Sequence, residues 1–156
     1  MCFALRSLSS LPTGRFSVSH YKAIHRHLFG DVYRWAGRFR TVRISKPNAA
    51  FCFPEYIDNQ MKQLFAQLRA DEYLQGLSRM DFAEKASHFL SWLNQIHPFR
   101  EGNGRTQMAF MAALGARAGH PLDLAGLDEV AFLEAMIRSF HGDEASLRDQ
   151  FLALTD

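Results

Sequence analysis

One stretch of this 156-residue chain carries most of its chemistry: His97-Pro98-Phe99-Arg100-Glu101-Gly102-Asn103-Gly104-Arg105-Thr106-Gln107-Met108. Gly102 and Gly104 flank Asn103, and glycine there permits a left-handed backbone and close approach of a ligand. Successive exposed backbone N–H groups running into a helix start form a concavity suited to phosphate oxygens. Arg105 would aim a guanidinium at the same place. A cation at a helix start opposes the dipole, which makes sense when an anion lies between them. Glu101 would repel a phosphate unless a cation intervened, so Mg²⁺ bridging the two is the economical arrangement. His97, four residues before Glu101, is placed to take a proton from an attacking hydroxyl. On the residues alone two readings stand: a phosphate or nucleotide site, or a structural helix–helix turn capped by His97 and packed by Phe99.

The flanking elements are helical. Phe82, Ala86, Phe89, Leu90, Leu93 and Ile96 form one apolar face behind a cap at Asp81, and Pro98 ends that helix at His97. After Gly104 a central helix follows with Ala109, Met111, Ala112, Leu114 and Ala118, stopped by Gly119. Upstream, Tyr21, Ile24, Leu28 and Phe29 predict a helix over 19–30 with a cap at Ser17 or Ser19. Val32 to Gly37 predict a further helical turn with Val32 and Trp35 inward. Thr41, Val42 and Ile44, the Lys46-Pro47-Asn48 turn, and Phe51 and Phe53 predict a small hairpin flap over 40–53. A two-stranded hairpin is marginal alone, so it must lean on the helical body. Ile57, Met61, Leu64, Phe65 and Leu68 follow Pro54 on one stripe. Leu127, Val130, Phe132, Leu133, Met136, Ile137 and Phe140 form another, with Asp123 or Asp128 near its start, and Leu147 and Phe151 mark a short terminal helix. The expected fold class is all-α with one β flap, a single domain over 1–156, with residues 1–16 as an atypical or poorly ordered extension.

Composition narrows the setting. With 47% hydrophobic and 22% charged residues the chain is globular, and no apolar run is long enough for a membrane span. Two cysteines, Cys2 and Cys52, give neither a disulfide framework nor a zinc site built on CxxC pairs. A short apolar start broken by Arg6 argues for a cytoplasmic protein. Residues 1–46 hold nine Lys or Arg against Asp31 alone, while residues 101–156 hold four against nine acidic groups. The cluster Arg34, Arg38, Arg40, Arg43 and Lys46, interleaved with Trp35 and Phe39, reads as a solvated basic face, a dock for an acidic protein, or a groove for nucleic acid. No nucleic-acid-binding motif supports the last, and no direct nucleic-acid contact is expected.

The segment 97–108 closely resembles the signature of the Fic family, His-Pro-Phe-x-acid-Gly-Asn-Gly-Arg-x-x-Arg, and VYRWAGRFRTVRISK with AAFCFPEYI resembles the family's flap region. The resemblance implies a compact helical bundle with a β-hairpin flap and transfer of AMP from ATP to a Ser, Thr or Tyr hydroxyl of a target protein. It implies that His97 deprotonates that hydroxyl and that Glu101 holds Mg²⁺ against the phosphates. Gly102, Asn103, Gly104 and Arg105 would bind nucleotide, and Pro98 and Phe99 would pack the motif. The flap residues Ile44, Ser45, Lys46, Pro47, Phe51 and Phe53 would pair with an extended target segment. Relatives that transfer a phosphoryl group carry lysine at position 104, so glycine there favours adenylyl transfer.

The signature's last arginine falls on Met108, which cannot pair with a γ-phosphate; an attenuated enzyme is one expectation, and a catalytically silent nucleotide-binding or interaction module is the alternative. Many relatives are restrained by a Ser/Thr-x-x-x-Glu-Gly/Asn helix. No glutamate here has Ser or Thr four residues before it. A separate small antitoxin is therefore an expected partner, or none is required. Resemblance to toxin-like members suggests a bacterial topoisomerase as target.

Overall fold

A computed structural model describes residues 11–47 and 49–155. Cys2, and residues 1–10 of the expected extension, lie outside the described residues. Leu11 and Phe16 pack onto the core, and Pro12 accepts a 2.9 Å hydrogen bond from the His20 ring.

The described residues form six α-helices and one two-stranded hairpin. Helix α1 (Val18–Phe29) is capped by Ser17, whose hydroxyl accepts from the His20 N–H. Strands β1 (Ser45–Lys46) and β2 (Ala49–Ala50) pair antiparallel, Ser45 opposite Ala50 and Lys46 opposite Ala49. Helix α2 (Pro54–Ala70) opens on its proline, and its predicted stripe is wholly buried. Helix α3 (Arg79–Ile96) buries the face expected of it. Its cap is Ser78 rather than Asp81: the Ser78 hydroxyl accepts from the Asp81 N–H, placing Asp81 in the first turn. Helix α4 (Asn103–Ala118) ends at left-handed Gly119, α5 (Glu129–Phe140) is capped by Asp128, and α6 (Ala145–Leu154) closes the bundle.

The hub is α3, which packs against α2, α4, α5 and α6; α4 packs on α1 and α3. Where they meet, Phe110 is ringed by Phe16, Tyr21, Phe65 and Phe89 at 5.4–5.8 Å between ring centroids. Two further sequence expectations fail. Residues 31–37 are turns, not helix: Val32 is 68% exposed, and Trp35 stacks on Tyr33 at 4.4 Å rather than entering the core. Of the α5 stripe, Val130, Leu133 and Ile137 face outward, because α5 lies at the edge of the bundle and only its Phe132, Ala135 and Met136 side meets α3 and α6.

Candidate active site

The loop between α3 and α4 is built by its own polar groups. His97 ends α3 in the left-handed conformation (φ 50°, ψ 64°), and the following proline disfavours further right-handed helix. Phe99 is fully buried, stacked 3.8 Å from the His25 ring. The Asn103 amide closes the loop: its oxygen accepts from the Phe99 N–H at 3.0 Å and its nitrogen donates to the Phe99 carbonyl at 2.7 Å. Asn103, expected at the phosphates, is thus 3% exposed and committed to the loop itself. Gly102 has φ +82°, and a Cβ there would strike the Phe29 ring; the fold requires that glycine. Gly104 differs. It is exposed, and a Cβ on it would meet open space, so the protein leaves room there without needing it for packing.

Gly102 supplies no side-chain cap to α4. The helix N-terminus around Gly104 and Arg105 therefore keeps its donor groups and positive dipole end for an anion. Arg105 lies in this first turn, its guanidinium carbon 5.9 Å from the Phe29 ring centroid. Glu101 is exposed just before the turn, and no ion pair ties its carboxylate among the described residues. Glu101, a carboxylate one residue from an uncapped helix start, is the group that would hold a divalent cation there.

His97 is half-buried. Phe51 lies flat on its ring at 3.9 Å and 13°, and its Nδ1 is buried without a hydrogen-bond partner. Burial first, then the Lys46 ammonium and the Arg40 guanidinium, push the imidazole down to about 4 against the opposing pull of the Asn94 carbonyl. The ring is therefore neutral at physiological pH, as a general base must be.

The flap is shorter than expected. Only Ser45, Lys46, Ala49 and Ala50 pair, with exposed Pro47 in the turn and Ile44 half-buried before β1. Phe51, expected on the docking surface, is 7% exposed because it covers His97; Phe53, 44% exposed, stays outside beneath Arg43 at 4.1 Å. Arg40, grouped with the basic face, is buried and binds only carbonyl oxygens. Arg100 reaches toward the Trp35 ring at 5.7 Å. Met108 is half-buried against the core.

Two supporting residues escaped the sequence. The buried His25 Nδ1 accepts from the Gly37 N–H at 2.9 Å, so its Nε2 donates to the Glu101 carbonyl, also at 2.9 Å. Burial lowers its pKa, which keeps this neutral tautomer. Phe29 wedges under Gly102. Both lie on the apolar side of α1, where a helical stripe signals burial but not what it touches.

A helical frame with a flap across the end of α3 and a glycine-lined helix start defines a nucleotide-binding class of fold. The chain belongs to the Fic/DOC family, whose model matches residues 15–114. It is 49% identical over 148 residues to "Probable protein adenylyltransferase y4lH" of Sinorhizobium fredii, covering 94% of this chain and 77% of that protein. It is 39% identical over 131 residues to "Protein adenylyltransferase VbhT" of Bartonella schoenbuchensis, covering 84% of this chain but 27% of that longer protein. The solved structure of BepC, a VirB-translocated effector of Bartonella tribocorum with bound AMPPNP, superposes with a TM-score of 0.86 at 29% identity, covering 98% of this chain and 80% of that one.

Proposed function

We propose that this chain is a protein adenylyltransferase that moves AMP from ATP to a hydroxyl side chain of a target protein. The observation that carries this is an imidazole half-buried under Phe51 at one end of a loop whose other end is an uncapped helix start with open space over Gly104. The names of its relatives and the ATP analogue bound to BepC support the same reading. In the step itself the target oxygen bonds to the α-phosphorus, the bond to the pyrophosphate breaks, and the hydroxyl proton passes to His97. With Nδ1 enclosed, Nε2 is the nitrogen left to receive it. Holding the hydroxyl in line matters as much as basicity. Arg105 and the α4 N-terminus bind phosphate charge, and the bulk absent at position 104 keeps space for a triphosphate. Glu101 would hold Mg²⁺, which when bound neutralises phosphate charge.

The finer assignments belong to the same reading. The exposed edge at Ser45 and Lys46 pairs with an extended target segment bearing Ser, Thr or Tyr. Met108 weakens triphosphate orientation, and a separate small antitoxin supplies restraint. No helix among the described residues is long and apolar enough to cross a membrane. A bacterial topoisomerase is the first target to try, in a cytoplasmic setting.

Mass spectrometry of a lysate incubated with the protein, ATP and Mg²⁺ tests the reading. Adenylyl marks lost in His97→Ala and reduced without Mg²⁺ are expected. ATP binding with no mark under any condition would leave a silent nucleotide-binding module. Met108→Arg should raise the marking rate about tenfold; no gain would show that position 108 is not limiting.

A further inference from the structure

Arg40 is 3% exposed, and every hydrogen bond of its guanidinium ends on a backbone carbonyl. Nε donates to His97 at 2.8 Å, Nη1 to Val42 at 2.8 Å, and Nη2 to Cys52 at 2.6 Å and Ile96 at 3.1 Å. Its own N–H donates to the Pro98 carbonyl at 2.9 Å. Val42 and Cys52 are the two legs of the flap, before β1 and after β2. Ile96 and His97 are the end of α3, where carbonyls lack helical partners and the dipole is negative. The buried charge is thus compensated by a helix end rather than by a carboxylate. One planar fork spans four acceptors from two elements, which a lysine ammonium on a flexible stem cannot reproduce. The Cys52 N–H adds a second tie between the same elements, donating to the Gln95 carbonyl at 3.1 Å. The loop 99–103, by contrast, is closed by Asn103 and held by His25, without Arg40.

We propose that Arg40 is a positioning residue that couples the flap to His97, holding a protein segment laid along the flap and the imidazole in one fixed relation. This rests on the adenylyl-transfer reading above. Because the fork joins the flap legs to the His97 backbone, losing it would let the target hydroxyl drift from the imidazole while leaving the phosphate cradle in place.

The test compares the full chain with Arg40→Lys and Arg40→Met, each checked for folding by circular dichroism. Three quantities are read: ATP affinity, kcat and KM for a marked target, and amide exchange at Cys52 against Thr106 in α4. Arg40→Lys, which keeps charge and most of the volume, is the variant expected to fold. It should lose about 100-fold in kcat/KM for the target, keep ATP affinity within about twofold, and speed Cys52 exchange about tenfold while Thr106 is unmoved. Wild-type kinetics and wild-type Cys52 exchange in folded Arg40→Lys would overturn the proposal. Equal losses of ATP affinity and turnover, with exchange faster throughout, would also overturn it by showing a general structural role. If the wild type marks no target, the adenylyl-transfer reading fails, and selective loosening of Cys52 alone decides the coupling. If His97→Ala abolishes marking while Arg40→Lys changes nothing, the reading stands and the coupling falls.

Discussion

The loop that carries the chemistry and the flap beside it are built in opposite ways. Between His97 and Thr106 the interior positions are locked: Asn103 on Phe99, His25 on Glu101, Phe29 under Gly102, and Thr106 on the Gly102 carbonyl. The flap has two residue pairs, and most of its pairing residues are exposed. Its ties lie at its base, through Arg40 and Cys52, and in Phe51 against His97. A reacting group must be held to within a fraction of an ångström, whereas an edge that receives varied chain segments gains from having few partners of its own. On the proposed reading, rigidity is concentrated in the reacting loop, and the edge proposed to meet the target is left open.

The sharpest way to break this contrast is at the imidazole. His97→Ala should reduce transfer by about 10³-fold while the fold survives, since the imidazole is only half-buried and its Nδ1 has no hydrogen-bond partner to strand. Labelling with radioactive ATP measures it, and more than a tenth of the activity remaining would remove His97 from its role as base. Next comes the lock. Asn103→Ala leaves the buried Phe99 N–H and carbonyl without partners and should cost about 2–4 kcal/mol in denaturant unfolding. A loss below 0.5 kcal/mol would mean the loop is not rigid in the sense claimed.

Much of this was legible in the sequence. The spacing of Phe82 to Ile96 and the order Pro98, Gly102, Gly104 marked the helix ends, because proline and glycine act locally and their consequences need no knowledge of the fold. What was not legible depends on contacts between distant segments. Arg40 among four other basic residues reads as surface; only the meeting of the flap with the end of α3 buries it. The family resemblance implies that Asn103 is a ligand, and its bond to Phe99 follows from the loop's return path. The turn at Glu72–Leu74, left-handed at each of its three residues, has no glycine to announce it and is anchored by buried Leu74. The apolar stripe of α5 misled for a related reason, since periodicity shows a face but not whether a neighbour covers it.

A smaller effect comes from pH. The folded His97 takes up a proton only near pH 4, the unfolded one at its ordinary 6.5. Between those values the unfolded chain binds more protons, so stability falls as pH drops through that window and loses nothing further below it. The full shift corresponds to at most about 3 kcal/mol, less with partial solvent access. His25, also lowered by burial, acts in the same direction. The difference between wild type and His97→Gln therefore isolates the contribution of His97. Unfolding curves at several pH values should show a shallower acid loss in the variant, and parallel curves would mean that the ring is not protected from protonation.

The smallest stability change should come from the flap. Ser45→Pro removes one N–H from β1, where the chain is exposed and the ladder spans two residue pairs. Unfolding should change by less than about 0.5 kcal/mol, as for surface positions away from structural features. If a target strand takes its main-chain bonds from this edge, KM for the target should nevertheless rise about fivefold, since one lost backbone hydrogen bond is worth about 1 kcal/mol. ATP affinity should hold, because no residue of the loop 97–105 bonds to Ser45. A matching rise after Ala50→Pro but not after Ser45→Pro would assign docking to the opposite edge. A stability loss of several kcal/mol from either change would show that the flap is as firmly built as the loop, and the contrast between the two regions would disappear.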